Sequence, residues 1–435
     1  MVDVTQRQEE SASTMTQGAV SGSAASTTSA KVEQVQRLLA LRDASKSEVF
    51  DLVHSLSDDE LLSFGLRAYR LNLLSLFGHD WPPERIARTA RAAAISKILG
   101  GWEYHQHYLP RLTSEPDAPQ LAGALVEQAR ALVELGRGAV VVSFHLGHMR
   151  YIPSDLAHAG ITTHLPLASD SYHDYETARA CNPDAALWRT FSFIDVEARA
   201  GSISLAKALA RGELVMSTID GNTGIDGARG DARRSTIALL GSKCRVKNGV
   251  IAMAARFGSP VIPVVSHNRD GLRICTTGPV HDPGGPLRGE DAERFVEEAV
   301  QGAYTFLGEA LLTHADEWCG GDLFHQWRLP TPSTTRPVEE VEPSLSEHLR
   351  AGGRVAMDTR RIVELPGAND IVWTDAMTGR CYRFPSTIVN LAARLADERQ
   401  GVDLRWLDGH PSDERARMWS LICQLASRDA VRCHG

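Results

Sequence analysis

The clearest hydrophobic pattern in the chain is an unbroken run of apolar and small side chains from Ala139 to Phe144, with three consecutive valines. Such a run predicts a strand that is buried on both faces. His145 follows it, Gly147 permits a sharp turn, and a helical pattern extends from Met149 to His158. Ligands gather where strands of an open α/β sheet end and helices begin, so this stretch is the first candidate site.

Strand-like and helix-like segments alternate around this run. The pattern predicts helices over 121–135 and 202–211, and strands over 161–168, 190–195, 214–219 and 236–240. Alternation of this kind is typical of a mainly parallel sheet with helices on both faces. We therefore predict an α/β fold, with the main domain covering residues 116–330.

The region before this domain has a different composition. Residues 1–30 contain eleven Ser or Thr and no aromatic, leucine or isoleucine residue, which predicts a disordered tail over 1–31. Leucines at helical spacing then predict a helical N-terminal region over 32–115, with Ser47 and Ser57 as N-caps and Trp81-Pro82-Pro83 as a break. We expect these helices to pack against the main domain.

The C-terminal part begins with a proline-rich acidic stretch, which predicts a linker over 331–348. Residues 349–435 then predict a small α+β domain, with short strands near 354–357, 362–365 and 371–373. Tyr382-Arg383-Phe384 is expected to lead into a helix over 386–395, and a second helix is expected over 413–426.

The composition of the chain bears on its partners, its compartment and whether it crosses a membrane. The 435 residues carry a net charge of −8, so bulk electrostatics favour neither DNA nor an anionic membrane. Seven cysteines are scattered without paired spacing, which predicts reduced thiols in a cytoplasmic protein. No apolar run approaches the roughly 20 residues of a membrane span, and residues 1–30 do not have the pattern of a signal peptide. We expect neither a metal nor a redox cofactor.

Two groups of side chains are candidates for chemistry. His145 is suited to general-base catalysis because the ordinary histidine pKa lies near working pH, although a loop-capping role is equally compatible with its position.

Basic residues are dense from Asp226 to Lys247, and a solvated basic loop explains them as well as an anion site does. They are Arg229, Arg233, Arg234, Lys243, Arg245 and Lys247. Asn248 and Gly249 then open a helix whose free N–H groups also suit an anion.

Three ordered blocks resemble the lipid A lauroyl/myristoyl acyltransferases, within the wider lysophospholipid acyltransferase superfamily. They are Val142–Arg150, Glu213–Gly224, and the stretch from Ala238 to Val264 that contains Gly258-Ser259-Pro260-Val261-Ile262-Pro263. The resemblance covers roughly residues 100–330. It implies an acyltransferase in which His145 is the base, Gly147, His148, Arg150 and Tyr151 contact substrate, and basic residues near 233–247 hold a phosphate.

The sequence departs from this family at one important position. The family carries an Asp or Glu five residues after the histidine, where this chain has Arg150. A guanidinium has donors only and cannot orient an imidazole as a carboxylate does. Asp220, at the end of a neighbouring predicted strand, is the first candidate for a replacement; Asp155 is placed less well. The lipid A enzymes also carry an N-terminal membrane anchor that is not recognisable here, which suggests a soluble acceptor.

The resemblance therefore implies acyl transfer from an acyl carrier protein or coenzyme A thioester to the hydroxyl or amine of a soluble small molecule, as in specialised metabolism. Backbone amides near Gly147, or near Asn248 and Gly249, would stabilise the oxyanion. Two alternatives remain: the donor is an aminoacyl-tRNA, or the site is degenerate and the protein is a binding partner. The C-terminal pattern resembles PqqD-type winged-helix domains, which bind peptides, but a domain that packs on the main one explains it equally well.

Overall fold

The computed structural model describes residues 30–40, 45–114, 123–198, 200–221, 234–269, 272–332, 335–366, 371–384, 388–397 and 399–434. Its strands are β1 Ala139–Ser143, β2 Thr163–Leu167, β3 Phe191–Asp195, β4 Leu214–Thr218, β5 Arg234–Leu239, β6 Ser242–Lys247, β7 Val261–Arg269, β8 Leu272–Thr277, β9 Arg354–Met357, β10 Ile362–Pro366, β11 Ile371–Asp375, β12 Cys381–Phe384 and β13 Val431–His434.

The helices begin and end as follows: α1 Ala30–Ala40, α2 Lys46–His54, α3 Asp58–Leu61, α4 Leu66–Phe77, α5 Pro83–Glu103, α6 Leu109–Arg111, α7 Gly123–Glu134, α8 Ile152–His158, α9 Ser169–Cys181, α10 Gly201–Ala210, α11 Gly249–Phe257, α12 Gly289–His314, α13 Val338–Arg350, α14 Val389–Ala396, α15 Leu404–Asp408 and α16 Ser412–Ala426. A π-turn over Tyr104–Tyr108 joins α5 to α6.

The main sheet has six strands in the order β3-β2-β4-β1-β7-β8. All neighbours are parallel except the edge pair β7–β8, which is antiparallel. Successive side chains of β1 point to opposite faces: Val140 and Val142 pack with residues of α10, α11 and α12, whereas Val141 packs with residues of α7 and α8. The predicted fold class, a mainly parallel sheet covered by helices on both faces, is confirmed.

The N-terminal helices belong to the same hydrophobic core as one face of this sheet. Buried residues of α2, α4 and α5, including Val53, Tyr69 and Trp102, form one cluster with Val140 and Trp318. The predicted break at Trp81 lies between α4 and α5. Ser57 is an N-cap as predicted, but the cap of α2 is Ser45 and not Ser47, because Ser45 and Glu48 form a reciprocal capping box.

The C-terminal part has a separate core around Trp373, Leu391 and Ile422. It contains an antiparallel sheet β10-β11-β12 and the antiparallel pair β9–β13. The Nη1 atom of Arg67 on α4 lies 3.2 Å from a carboxylate oxygen of Glu364, so this part also contacts the N-terminal helices. The predicted domain boundaries and the likeness to PqqD-type domains stay predictions.

One prediction of local structure was wrong here. Residues Val338–Arg350, most of the predicted linker, form α13 because Val341, Leu345 and Leu349 recur at helical spacing and are buried. Tyr382–Phe384 belongs to β12, which pairs with β11, and α14 follows it in the chain as predicted. Residues 431–434 form β13 against β9.

The other predicted elements of the main domain lie within one or two residues of those observed, except that α8 begins at Ile152 after a 3₁₀ turn over Met149–Tyr151. The predicted tail falls almost entirely outside the described residues, and α1 begins at Ala30, before the tail's predicted end. Over the described ranges, no helix combines the length and apolar character needed to cross a membrane.

Candidate active site

The site lies where two adjacent parallel strands end. β1 and β4 are paired so that Ser143 stands beside Thr218. His145 and Asp220 each follow these paired residues by two positions, at the carboxyl edge of the sheet. Parallel register therefore brings together two residues that are 75 positions apart in the sequence.

His145 and Asp220 form a hydrogen-bonded dyad. His145 Nδ1 lies 2.7 Å from Asp220 Oδ1, and the backbone N–H of His145 donates to both carboxylate oxygens at 2.9 Å. The Asp220 side chain is fully buried, whereas 27% of the His145 side chain is exposed. No described residue hydrogen-bonds to Nε2 of His145, so that nitrogen is left for a substrate.

The segment after α12 closes over the dyad. The indole N–H of Trp318 donates to Asp220 Oδ2 at 3.4 Å, and the Gly320 N–H donates to the His145 carbonyl at 3.1 Å. A Cβ atom on Gly320 would lie 2.8 Å from Asp220 Oδ2 and 2.9 Å from His145 Cβ. Only glycine allows the backbone to approach the dyad this closely.

Gly147 is held by its neighbours in a conformation with φ of +56°. A Cβ here would lie 2.4 Å from the Ser266 carbonyl oxygen, and the Gly147 N–H donates to the Glu317 carbonyl at 3.0 Å. This amide is therefore already used. It ties the loop to the segment after α12, and a role for backbone amides near Gly147 in stabilising an oxyanion stays a prediction.

A cavity of about 1080 Å³ lies against this loop, between α2, α5 and the turn that leads into α8. Gly147, His148 and Tyr151 contribute to its wall, as do Cys319 and Glu317 from the segment after α12. Neither dyad residue lines the wall, but Gly147 and His148, which follow His145 in the sequence, do. Of the predicted substrate contacts, the structure brings these three loop residues together at one cavity.

Charged groups in the wall are unusually buried. Burial raises the pKa of Asp155 to about 6, against the opposing effect of Arg273. Burial raises the pKa of Glu317 to about 7, although its carboxylate accepts the Asn268 backbone N–H at 2.9 and 3.0 Å. Burial lowers the pKa of His148, whose Nδ1 lies 3.9 Å from Glu103. Carboxylates with a pKa near neutral pH can exchange protons under working conditions.

Arg150 is packed against the N-terminal helices and is not part of the cavity wall. Its Nη1 donates to the Gly100 carbonyl at 3.0 Å, and its guanidinium lies 4.5 Å from the centre of the Tyr104 ring. In this structure the residue ties the loop to α5 and to the π-turn after it. Contact between Arg150 and an anionic substrate stays a prediction.

The four predicted basic residues that the structure describes lie on a separate hairpin, β5–β6, that packs on α12. Lys243 and Arg245 are exposed, Arg234 and Lys247 are half-buried, and Arg229 and Arg233 lie outside the described residues. None of the four described residues lines the cavity beside the dyad. Asn248 is buried and donates from Nδ2 to Ser235 Oγ at 2.9 Å, and Gly249 begins α11 without a side-chain cap.

Glu317, Arg273 and Glu103 were missed by the sequence reasoning. Each lies outside the recognisable motifs and reaches the cavity from a different element. The one available signal was the stretch Asp316-Glu317-Trp318-Cys319-Gly320-Gly321, where acidic residues precede paired glycines. Within the described ranges, no group of three or more His, Cys, Asp or Glu side chains is placed to hold a metal ion.

Comparison with known proteins gives little beyond this geometry. No family model and no curated protein matches the chain. Among solved structures, the chain is similar to the 1-acyl-sn-glycerophosphate acyltransferase PlsC of Thermotoga maritima, at 15% identity and a TM-score of 0.26. The match covers 58% of this chain and 96% of that one. A likeness of this size does not assign a reaction, so the function has to be inferred from the site.

Proposed function

We propose that the protein transfers an acyl group, with His145 as the general base and Asp220 as its orienting carboxylate. The observation that carries the proposal is the 2.7 Å contact between His145 Nδ1 and a fully buried carboxylate. Such a contact fixes the ring and its tautomer, holds the proton on Nδ1 and leaves Nε2 to accept one. Asp220 thus takes the role that the resembled family gives to the residue at position 150.

In the proposed acyl transfer, one proton moves from the acceptor to His145 and then from His145 to the leaving group. The acceptor's O–H or N–H group attacks the carbonyl carbon of a thioester while His145 Nε2 takes the proton. The tetrahedral intermediate then collapses, the C–S bond breaks, and His145 returns the proton to the leaving sulfur. Asp220 stabilises the imidazolium that exists between these two steps.

The negative charge on the intermediate's oxygen requires N–H donors. The α11 N-terminus suits this role: β7, which follows it, is parallel to β1, so α11 begins at the edge of the sheet where β1 ends. No side chain caps that terminus, and its first N–H groups have no partner within the helix. We assign the oxyanion to the amides near Asn248 and Gly249.

The donor and the acceptor that we propose follow from the resemblance to the lipid A acyltransferases. The donor is an acyl carrier protein or coenzyme A thioester, and the acceptor is a soluble small molecule of specialised metabolism. The dyad supports an enzyme over a non-catalytic binding partner, since a binding surface has no need of a buried carboxylate behind a half-exposed imidazole. A role for Arg150 in holding an anionic part of the substrate belongs to this proposal.

An aminoacyl-tRNA donor is a second candidate. The observation that favours it is the exposed face of β6, which presents Lys243 and Arg245 side by side at the spacing of alternate strand residues. If tRNA carries the acyl group, transfer should stop after ribonuclease treatment and weaken steeply with salt. A thioester donor predicts no effect of ribonuclease, so that treatment separates the two candidates.

The experiment is a transfer assay on panels of acyl thioesters, aminoacyl-tRNAs and small acceptors, with product masses measured. His145→Ala should lower the rate by about 10²–10⁴, the usual effect of losing a general base. His79→Ala is the matched control, since His79 is exposed and lies outside this cavity. A His145→Ala enzyme within tenfold of wild type would exclude His145 as the base.

A further inference from the structure

The charges in the wall of the dyad cavity are largely balanced in pairs. Lys46 Nζ lies 2.8 Å from Glu103 Oε1, and Arg273 Nη1 lies 3.4 Å from Asp155 Oδ2. Arg111 and Asp316, which also line the cavity, are exposed to solvent. Half-buried charges are stable in pairs because each compensates the desolvation of the other.

Glu317 is the exception. It is partly buried in the same wall, yet none of the described residues forms an ion pair with it. Among the described residues, its carboxylate accepts only the backbone N–H of Asn268, which contacts both oxygens, and the like charge of Asp316 acts on it. The described part of the chain therefore supplies no cation to this carboxylate.

The backbone of Glu317 is fixed relative to the dyad. Its carbonyl accepts the Gly147 N–H at 3.0 Å, and the adjacent Trp318 forms a β-bridge with Leu146 and donates to Asp220. The backbone that carries this carboxylate is therefore held against the loop that carries His145, while the carboxylate itself contacts Asn268 at the end of β7. A cation bound to it would be presented at the edge of the sheet where the proposed reaction takes place.

We propose that Glu317 binds the ammonium group of a primary-amine substrate in this cavity. The inference rests on the proposed acyl transfer and narrows its substrate class. Ammonium matches the missing charge, donates three hydrogen bonds, and reaches a carboxylate whose single backbone donor leaves most of its acceptor capacity unused. The amine belongs either to the acceptor or to the aminoacyl group of a donor.

An amine acceptor gives Glu317 a chemical role as well. An ammonium must lose two protons to become an amide, whereas a hydroxyl loses one on becoming an ester. Glu317 accepts the first proton and releases the free amine; His145 accepts the second as the C–N bond forms and passes it to the leaving sulfur. The balanced result is an amide, a thiol and one proton, which Glu317 returns to solvent.

The test measures binding without any donor. The probes are putrescine, ethanolamine and glucosamine as acceptor amines, and the methyl esters of amino acids as aminoacyl analogues, each beside its N-acetylated form. Ligand-observed NMR compares wild type with Glu317→Gln, which keeps the shape and a hydrogen-bond acceptor but removes the charge. Glu293→Gln, at an exposed position of α12, is the matched control.

At least one amine should bind to wild type and to Glu293→Gln with similar affinity. The same amine should bind at least tenfold more weakly to Glu317→Gln, and its N-acetylated form should not bind at all. Glu317→Asp, which keeps the charge, should retain more binding than Glu317→Gln. Binding of a simple amine would indicate that the amine belongs to the acceptor. Binding of an amino-acid ester would indicate that it belongs to the aminoacyl group of the donor. Failure of every amine to bind, or equal binding to Glu317→Gln, would overturn the inference, whereas unimpaired transfer by His145→Ala would overturn only the proposed base.

Discussion

Two carboxylates stand at the same edge of the sheet, and their surroundings differ sharply. Asp220 is fully buried and accepts hydrogen bonds from the His145 ring, the His145 backbone and the Trp318 indole. Glu317 is less buried but accepts only one backbone N–H, and burial raises its pKa to about 7. The number of hydrogen-bond donors, more than the depth of burial, distinguishes the two sites.

Asp220→Asn should have the largest effect. The carboxylate accepts hydrogen bonds from three N–H groups, whereas the amide has one oxygen to accept them and an NH₂ group that only donates. The neutral amide also cannot stabilise an imidazolium. We expect transfer to fall by about 10²–10⁴, and the free energy of unfolding to fall by about 1–3 kcal/mol, because buried donors lose their acceptor. Transfer kinetics and urea unfolding measure the two effects. Wild-type transfer in this variant would remove Asp220 from the mechanism.

Gly320→Ala should disturb the dyad without changing its chemistry. The added Cβ would lie within 3 Å of both Asp220 and His145, and overpacking of this kind costs about 1–3 kcal/mol. Gly101→Ala is the control, because a Cβ at that position meets no atom within 4 Å. We expect the control to match wild type in transfer and to be at least as stable, because Gly101 lies in α5 and alanine favours a helix more than glycine does. Equal behaviour of the two variants would mean that the approach of Gly320 is not important.

Glu317→Gln should change how stability depends on pH. Folding raises the pKa of Glu317 from 4.5 to about 7, so the folded state binds more protons than the unfolded state between these values. The contribution of Glu317 to stability therefore decreases as pH rises from about 4.5 to 7. The Gln variant should lack this contribution and gain in melting temperature relative to wild type as pH increases. A constant difference across this window would show that the pKa is not raised.

Arg150 should have the smallest effect on the dyad. Arg150→Glu recreates the acidic spacing of the resembled family, but His145 Nδ1 already has Asp220, so we expect no gain in transfer rate. Arg150→Lys loses the planar contact with Tyr104 and should destabilise the fold by about 0.5–1 kcal/mol. If Arg150 also holds an anion, the Lys variant should bind substrate more weakly by about 1–3 kcal/mol. An Arg150→Glu enzyme faster than wild type would contradict the assignment of Asp220.

The sequence was most informative where local pattern and tertiary environment agree. The valine run of β1 is buried on both faces, so its composition alone predicts a central strand and places His145 at its end. The contact with Asp220 followed from the same reasoning, because residues after neighbouring parallel strands meet at one edge. Helix α13 was missed because proline content outweighed the spacing of Val341, Leu345 and Leu349.

Glu317 could not be predicted in the same way. Its neighbours come from β7, from the loop after β1 and from α5, and its own segment has no periodic pattern. The raised pKa is a property of that assembled environment. The basic hairpin β5–β6 differs from Glu317 in the opposite way. Its charge density is evident in the sequence, but the hairpin lies apart from the cavity.

The most direct test of the central claim is the protonation state of the His145 ring, measured by ¹⁵N NMR on protein labelled at histidine and assigned with His145→Gln. The dyad predicts a proton on Nδ1 whose signal is shifted downfield and which is slow to exchange, because Asp220 accepts it. Asp220→Asn should abolish that signal. A His145 ring that carries its proton on Nε2, or that is unchanged by Asp220→Asn, would contradict the dyad and the reaction proposed for it.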